Sequence, residues 1–125
     1  MAVGLELPSK LIPVNGLRLF AASANIYNKD RDDVVLIELC ESTVSSAVFT
    51  KNKFCAAPVI VAKANLSSTA PRYCLINAGN ANAGTGELGI ANAKETCQSL
   101  SLLATCEQAE VLPFSTGVIG EDLPI

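Results

Sequence analysis

The chain has 125 residues, half of them apolar, with 12 acidic and 9 basic side chains and a net charge of −3. That is enough apolar material for one domain, or part of one, with a sizeable core, and it excludes a disordered chain. Histidine is absent, which removes Ser-His-Asp and Cys-His relays and most catalytic zinc sites, and no Lys/Arg cluster is long enough to neutralise a nucleic-acid backbone.

In chain order, Pro8 and Pro13 predict an extended or irregular start, and Asn15-Gly16 predicts a turn before a first strand, LRLFAASANI, from Leu17 to Ile26. The N-terminus shows no basic leader with an apolar stretch, and no apolar run approaches the ~20 residues that span a bilayer. A soluble cytoplasmic protein is the expectation. The mixed charges of NKDRDD, Asn28 to Asp33, read as a solvated turn. VVLIELC, Val34 to Cys40, is rich in β-branched residues and predicts a buried strand, and VSSAVF, Val44 to Phe49, a further one. Strands in such close succession suggest antiparallel pairing more than βαβ units.

AAPVIVAKANL is ambiguous: Pro58 suits the start of a helix, while Val59, Ile60 and Val61 favour a strand. The reading adopted is a helix. RYCLIN predicts a strand that runs into the asparagines and glycines of LINAGNANAGTG, Leu75 to Gly86. Beyond it, Ile90, Ala93, Cys97, Leu100 and Ala104 recur at spacings of three and four, predicting an amphipathic helix of about five turns. It must end before Pro113, and EVLPFST predicts a last strand entering a turn at TGVIG. The fold class is therefore α/β in the layered α+β sense: mostly antiparallel strands packed against helices, with residues 1–125 forming one domain or part of one. Five cysteines, Cys40, Cys55, Cys74, Cys97 and Cys106, form no CxxC pair and predict free thiols in a reducing compartment.

Two stretches could carry chemistry. GTGELG, Gly84 to Gly89, has dinucleotide-loop spacing but follows its strand too late, and tight turning with close helix–sheet approach is the simpler reading. Asn77, Asn80 and Asn82 can satisfy local backbone groups, yet three within six residues exceed what one turn needs. In PFSTGVIGE, Pro113 to Glu121, Thr116 could cap a following helix, or its hydroxyl and the Gly117 N–H could converge on a developing oxyanion. Both readings remain open on the residues alone.

AVFTKNKFCAAPV, INAGNANAGTG and PFSTGVIGE, in this order and at these separations, resemble the N-terminal part of ornithine acetyltransferase, the bifunctional glutamate N-acetyltransferase of arginine biosynthesis. The resemblance runs from about Gly16 to Ile125. It implies a self-cleaving enzyme that moves an acetyl group from N-acetylornithine to glutamate by a ping-pong route, with a threonine freed at the N-terminus of a β chain as nucleophile. It implies Thr116 and Gly117 as the oxyanion pair, an α2β2 assembly, no bound cofactor, no metal, and acetyl-CoA as a co-substrate in bifunctional members. A terminal threonine can use its own α-amino group as base, which suits a chain without histidine. Family α chains continue past this motif, and none of Thr43, Thr50, Thr69, Thr85, Thr96, Thr105 or Thr116 matches the nucleophile. The 125 residues alone are expected to be inactive. The alternatives are a hydrolase like the self-processing aminopeptidases, or a non-catalytic binding module.

Overall fold

The computed structural model describes residue 10, residues 12–26 and residues 30–125. The expectations for residues 1–9 and for Asn28 and Lys29 fall outside the described residues. The elements are β1 (Leu17–Ala22), β2 (Val34–Leu39), α1 (Ala57–Ser68), β3 (Tyr73–Asn80), α2 (Gly86–Ala104), a short 3-10 turn (Gln108–Glu110) and β4 (Val111–Val118). They build one four-stranded sheet in the order β1-β2-β3-β4. β1, β2 and β3 pair antiparallel, whereas β4 runs parallel to β3 after α2 has crossed over. The layered α/β class holds with mostly antiparallel pairing, and the sheet contains one βαβ unit, β3–α2–β4, outside the early strands for which antiparallel pairing was expected.

The Asn15-Gly16 turn forms, with Gly16 at φ 81 and the Leu17 N–H donating to Val14 O at 3.2 Å. β1 then stops at Ala22, four residues short of the expected end. The cause is Asp33, whose carboxylate accepts the N–H groups of Ala24 at 2.6 Å and Ile26 at 2.7 Å. Asn25, at φ 55, turns the backbone around it. Asp33 is only 4% exposed, so the solvated-turn reading fails at this residue and holds for exposed Asp30, Arg31 and Asp32. A buried carboxylate needs such donors to offset its desolvation.

Residues 44–49 form no strand, contrary to expectation. Both edges of β2 are already occupied by β1 and β3, and the chain here travels to α1, which packs beside β4 on the far side of β3. Its β-branched residues find nothing to pack against: Val44 is 95% and Val48 99% exposed. The helix reading of AAPVIVAKANL is correct. Pro58 lies in the first turn, and burial of Val61 and Ala62 outweighs the weak helix propensity of a Val-Ile-Val run. Asn65 of α1 donates to Val111 O at 2.8 Å, so α1 covers part of the outer edge of β4, the strand that also contains Pro113.

α2 spans 19 residues and buries Gly89, Ala93, Cys97 and Ser101, a stripe at steps of four. Val61, Tyr73, Ala93, Cys97 and Val111 form the core, with Leu36, Leu75, Ile90 and Leu100 packed around it. The helices thus occupy one face of the sheet. Strand alternation and register put Leu19 beside Ile37, and Val35 beside Ile76 and Phe114, on the other face. That face is apolar and open, with Leu19 58% and Phe114 43% exposed. No helix among the described residues is long and apolar enough to cross a membrane.

Candidate active site

The two polar motifs meet where β3 and β4 end together. Gly79 stands opposite Gly117, and Asn80 pairs with both Thr116 and Val118, so the register shifts at Gly79–Asn80 in a local bulge. Bulges of this kind re-aim the groups on the neighbouring strand.

The asparagines are consumed by that construction. Asn77 uses both ends of its amide: Oδ1 accepts from the Ser115 hydroxyl at 2.5 Å across the strands, and Nδ2 donates to Asn80 O at 2.8 Å. Asn80 Oδ1 accepts the Asn82 N–H at 2.7 Å, while its Nδ2 reaches the carbonyls of Glu121 and Asp122, each at 3.1 Å. Asn82, fully buried and at φ 45, donates to Gly89 O at 2.8 Å and accepts from the Thr85 hydroxyl at 2.8 Å. Its carbonyl also receives the Ala57 N–H at the start of α1, at 3.1 Å. The asparagines therefore join two strands, two helices and the segment after β4.

Within GTGELG, Gly84 at φ 73 and Gly86 at φ 57 serve the turn into α2, and Gly89 serves close packing, in line with the simpler reading. Gly89 lies within α2, and a Cβ there would sit 2.5 Å from Asn82 Oδ1. A phosphate loop would instead leave that backbone open to a ligand. Thr116 caps no helix: it lies inside β4, and no helix follows among the described residues. The capping alternative is thereby corrected, because the strand continues two residues beyond the expected end.

Thr116 and Gly117 are both exposed, and the Thr116 hydroxyl makes no hydrogen bond among the described residues. Alternation along β4 puts Ser115 on the helix face and Thr116 on the open face. Gly117 sits at φ 137 against the bulge, where a Cβ would lie 2.5 Å from Gly79 O and 2.6 Å from Asn80 N. Two grooves, of about 280 and 600 Å³, both reach Pro113, Phe114 and Ser115 and stop short of Thr116. Ser115, Thr116, Asn77, Asn80 and Asn82 are all neutral. Such an arrangement can direct donors at a negative charge but offers no base to remove a proton. The described residues contain no group of three or more His, Cys, Asp or Glu side chains able to hold a metal ion.

The sequence reading missed Asp33 and the two-ended role of Asn77. Nothing local marks either one, since their partners lie 7–9 and 38 residues away.

The fold and strand end define a mixed α/β domain presenting a neutral, donor-bearing edge. The chain matches the ArgJ family over residues 18–125 and belongs to it. It is 52% identical over 116 residues to the arginine biosynthesis bifunctional protein ArgJ of Methylococcus capsulatus, covering 93% of this chain and 28% of that protein. It is 50% identical over 125 residues to the protein of the same name from Pseudomonas syringae, covering 100% of this chain and 31% of that one. The chain thus spans about a third or less of the length of these curated relatives. Among solved structures it is similar to ArgJ from Bacillus halodurans, with TM-score 0.80 and 29% identity, over 88% of this chain and 58% of that chain. It is also similar to ornithine acetyltransferase complexed with ornithine from Mycobacterium tuberculosis, with TM-score 0.79 and 33% identity, over 88% and 60% of the two chains.

Proposed function

We propose that these residues are the oxyanion-stabilising part of a glutamate N-acetyltransferase that moves acetyl from N-acetylornithine to glutamate. In this reading the hydroxyl of a threonine at the N-terminus of a β chain attacks the acetyl carbonyl, and its proton passes to that residue's own amino group. The carbonyl oxygen becomes negative. Thr116 O–H and Gly117 N–H stabilise that charge more than they do the neutral carbonyl, which lowers the barrier. Collapse of the intermediate expels the ornithine amine, which takes up a proton, and leaves an acetyl-threonine ester. The glutamate amine then attacks the ester through a second oxyanion at the same place, and the threonine hydroxyl is restored.

The chemistry needs no bound cofactor, and acetyl-CoA serves as a second acetyl donor in the bifunctional case. The working assembly is an α2β2 tetramer in the cytoplasm, formed after autoproteolysis. The observation that carries the reading is the exposed Thr116 hydroxyl, without a hydrogen bond among the described residues, beside Gly117, which sits at φ 137 against the bulge. Family membership supports acetyl transfer over the aminopeptidase-like alternative. The open apolar sheet face does not favour a free-standing binding module.

The test is steady-state kinetics of the complete, matured enzyme. Thr116→Ala lowers kcat by roughly 10²–10³, about 2.7–4 kcal/mol, with KM little changed, and Thr116→Ser retains more activity because it keeps the donor. A Thr116→Ala enzyme with normal kcat would overturn the assignment.

A further inference from the structure

We infer that Asn77 is a positioning residue that sets the direction of both donors at the end of β4, a role that rests on the oxyanion reading above. Its amide acts on the pair by two routes. Through Oδ1 it holds Ser115, the residue before Thr116, at 2.5 Å. Through Nδ2 it holds Asn80 O at 2.8 Å, on the far side of the Gly79–Asn80 register shift.

The second route matters because Gly117 rests against that bulge. The position of a Cβ on Gly117 lies 2.5 Å from Gly79 O and 2.6 Å from Asn80 N. Any displacement of the peptide between these residues therefore moves the wall that orients Gly117. Regular strand pairing does not fix this wall, since Asn80 is shared between Thr116 and Val118 where the ladder shifts.

An asparagine is required on chemical grounds. One end of the side chain must accept from a hydroxyl and the other must donate to a carbonyl. A flipped amide would turn its oxygen toward Asn80 O, so the network fixes the orientation. Aspartate offers no donor for that carbonyl. Asn77 also shares the helix face with Ser115, opposite Thr116, so it does not meet a ligand that Thr116 touches. Its effect passes through other residues.

A double-mutant cycle in the complete, matured enzyme tests this. Asn77→Ala lowers kcat about 10–100-fold with KM within about twofold, as expected for donors misplaced by a fraction of an ångström. In the Thr116→Ala background the same substitution costs less than about threefold, because the group it positions is gone. Ser115→Ala removes only a hydroxyl and decides the question if Asn77→Ala fails to fold: it lowers kcat several-fold, and Ser115→Thr restores it. Equal losses in both backgrounds overturn the inference, as does a lowered melting temperature with unchanged kcat. The two readings fail separately: a silent Thr116→Ala removes the oxyanion role and this inference with it, whereas a large Thr116→Ala effect beside a silent or additive Asn77→Ala removes this inference alone.

Discussion

Gly117 and Gly79 face each other across the parallel β3–β4 pair with no space for a side chain between them: a Cβ on Gly117 would come within 2.5 Å of Gly79 O. Gly117 also sits at φ 137, a conformation that L residues rarely adopt. Gly117→Ala should therefore destabilise the protein by at least about 2 kcal/mol, with steric overlap added to backbone strain. Gly120 is the control, at φ 80 with nothing within 4 Å of its missing Cβ. Gly120→Ala should cost only about 1 kcal/mol. Chemical denaturation of the two variants checks the difference, and equal losses would show that the bulge does not constrain Gly117.

Asn82 should be the most sensitive of the three asparagines. It is fully buried, uses both ends of its amide, and occupies the left-handed region at φ 45, which Asn tolerates better than most residues. Asn82→Ala should cost about 2–4 kcal/mol, because Gly89 O and the Thr85 hydroxyl both lose a partner inside the protein. Thr85→Ala, which removes one hydrogen bond and leaves the amide donor in place, should cost about 1 kcal/mol. Comparable losses for the two variants would contradict this ordering.

The cysteines should separate by reactivity and by pH. All five are unpaired. Cys40 is exposed, and hydrogen bonds from the hydroxyls of Ser42 and then Thr43 hold its thiol below the usual range. Cys97 is 0% exposed, and burial pushes its thiol up to about 12. Timed alkylation of the native protein with mass spectrometry should modify Cys40 first and Cys97 last. Cys97 also links stability to pH. Below pH 9 the thiol is protonated whether the chain is folded or not; between about 9 and 12 only the unfolded chain releases the proton. Stability should therefore fall as pH rises through that window, by up to about 1.4 kcal/mol per unit from this group. A Cys97→Ala variant, compared at matched buffer conditions, should show a shallower alkaline slope.

Local pattern was sufficient where an element depends on its own residues. The β-branched run of β2 and the three-and-four spacing of α2 are visible without any partner, and both form close to the expected positions. Pattern failed where partners far along the chain decide. Val44 to Phe49 has the composition of a strand, but β2 has no free edge for it. The early end of β1 depends on the Asp33 carboxylate, and the parallel direction of β4 depends on how α2 crosses the sheet. At the candidate site, the residue types at Thr116 and Gly117 single out the pair but leave capping and oxyanion roles open, and the oxyanion role is what the resemblance implies. The arrangement behind them was not legible, because the Asn77–Ser115 contact joins positions 38 residues apart.

The outer edge of β4 limits how copies of this fold can polymerise. Pro113 has no N–H to offer another strand, and Val111 O is already taken by Asn65 of α1. A fifth strand added there would lose part of its ladder at once. Among the described residues β1 has neither device, so strand exchange between molecules should begin at that opposite border, with exposed Leu19 and Phe20 alongside it. The strand bearing Thr116 and Gly117 is thus shielded from intermolecular pairing by a missing hydrogen atom and a borrowed amide, and its end stays accessible to small molecules.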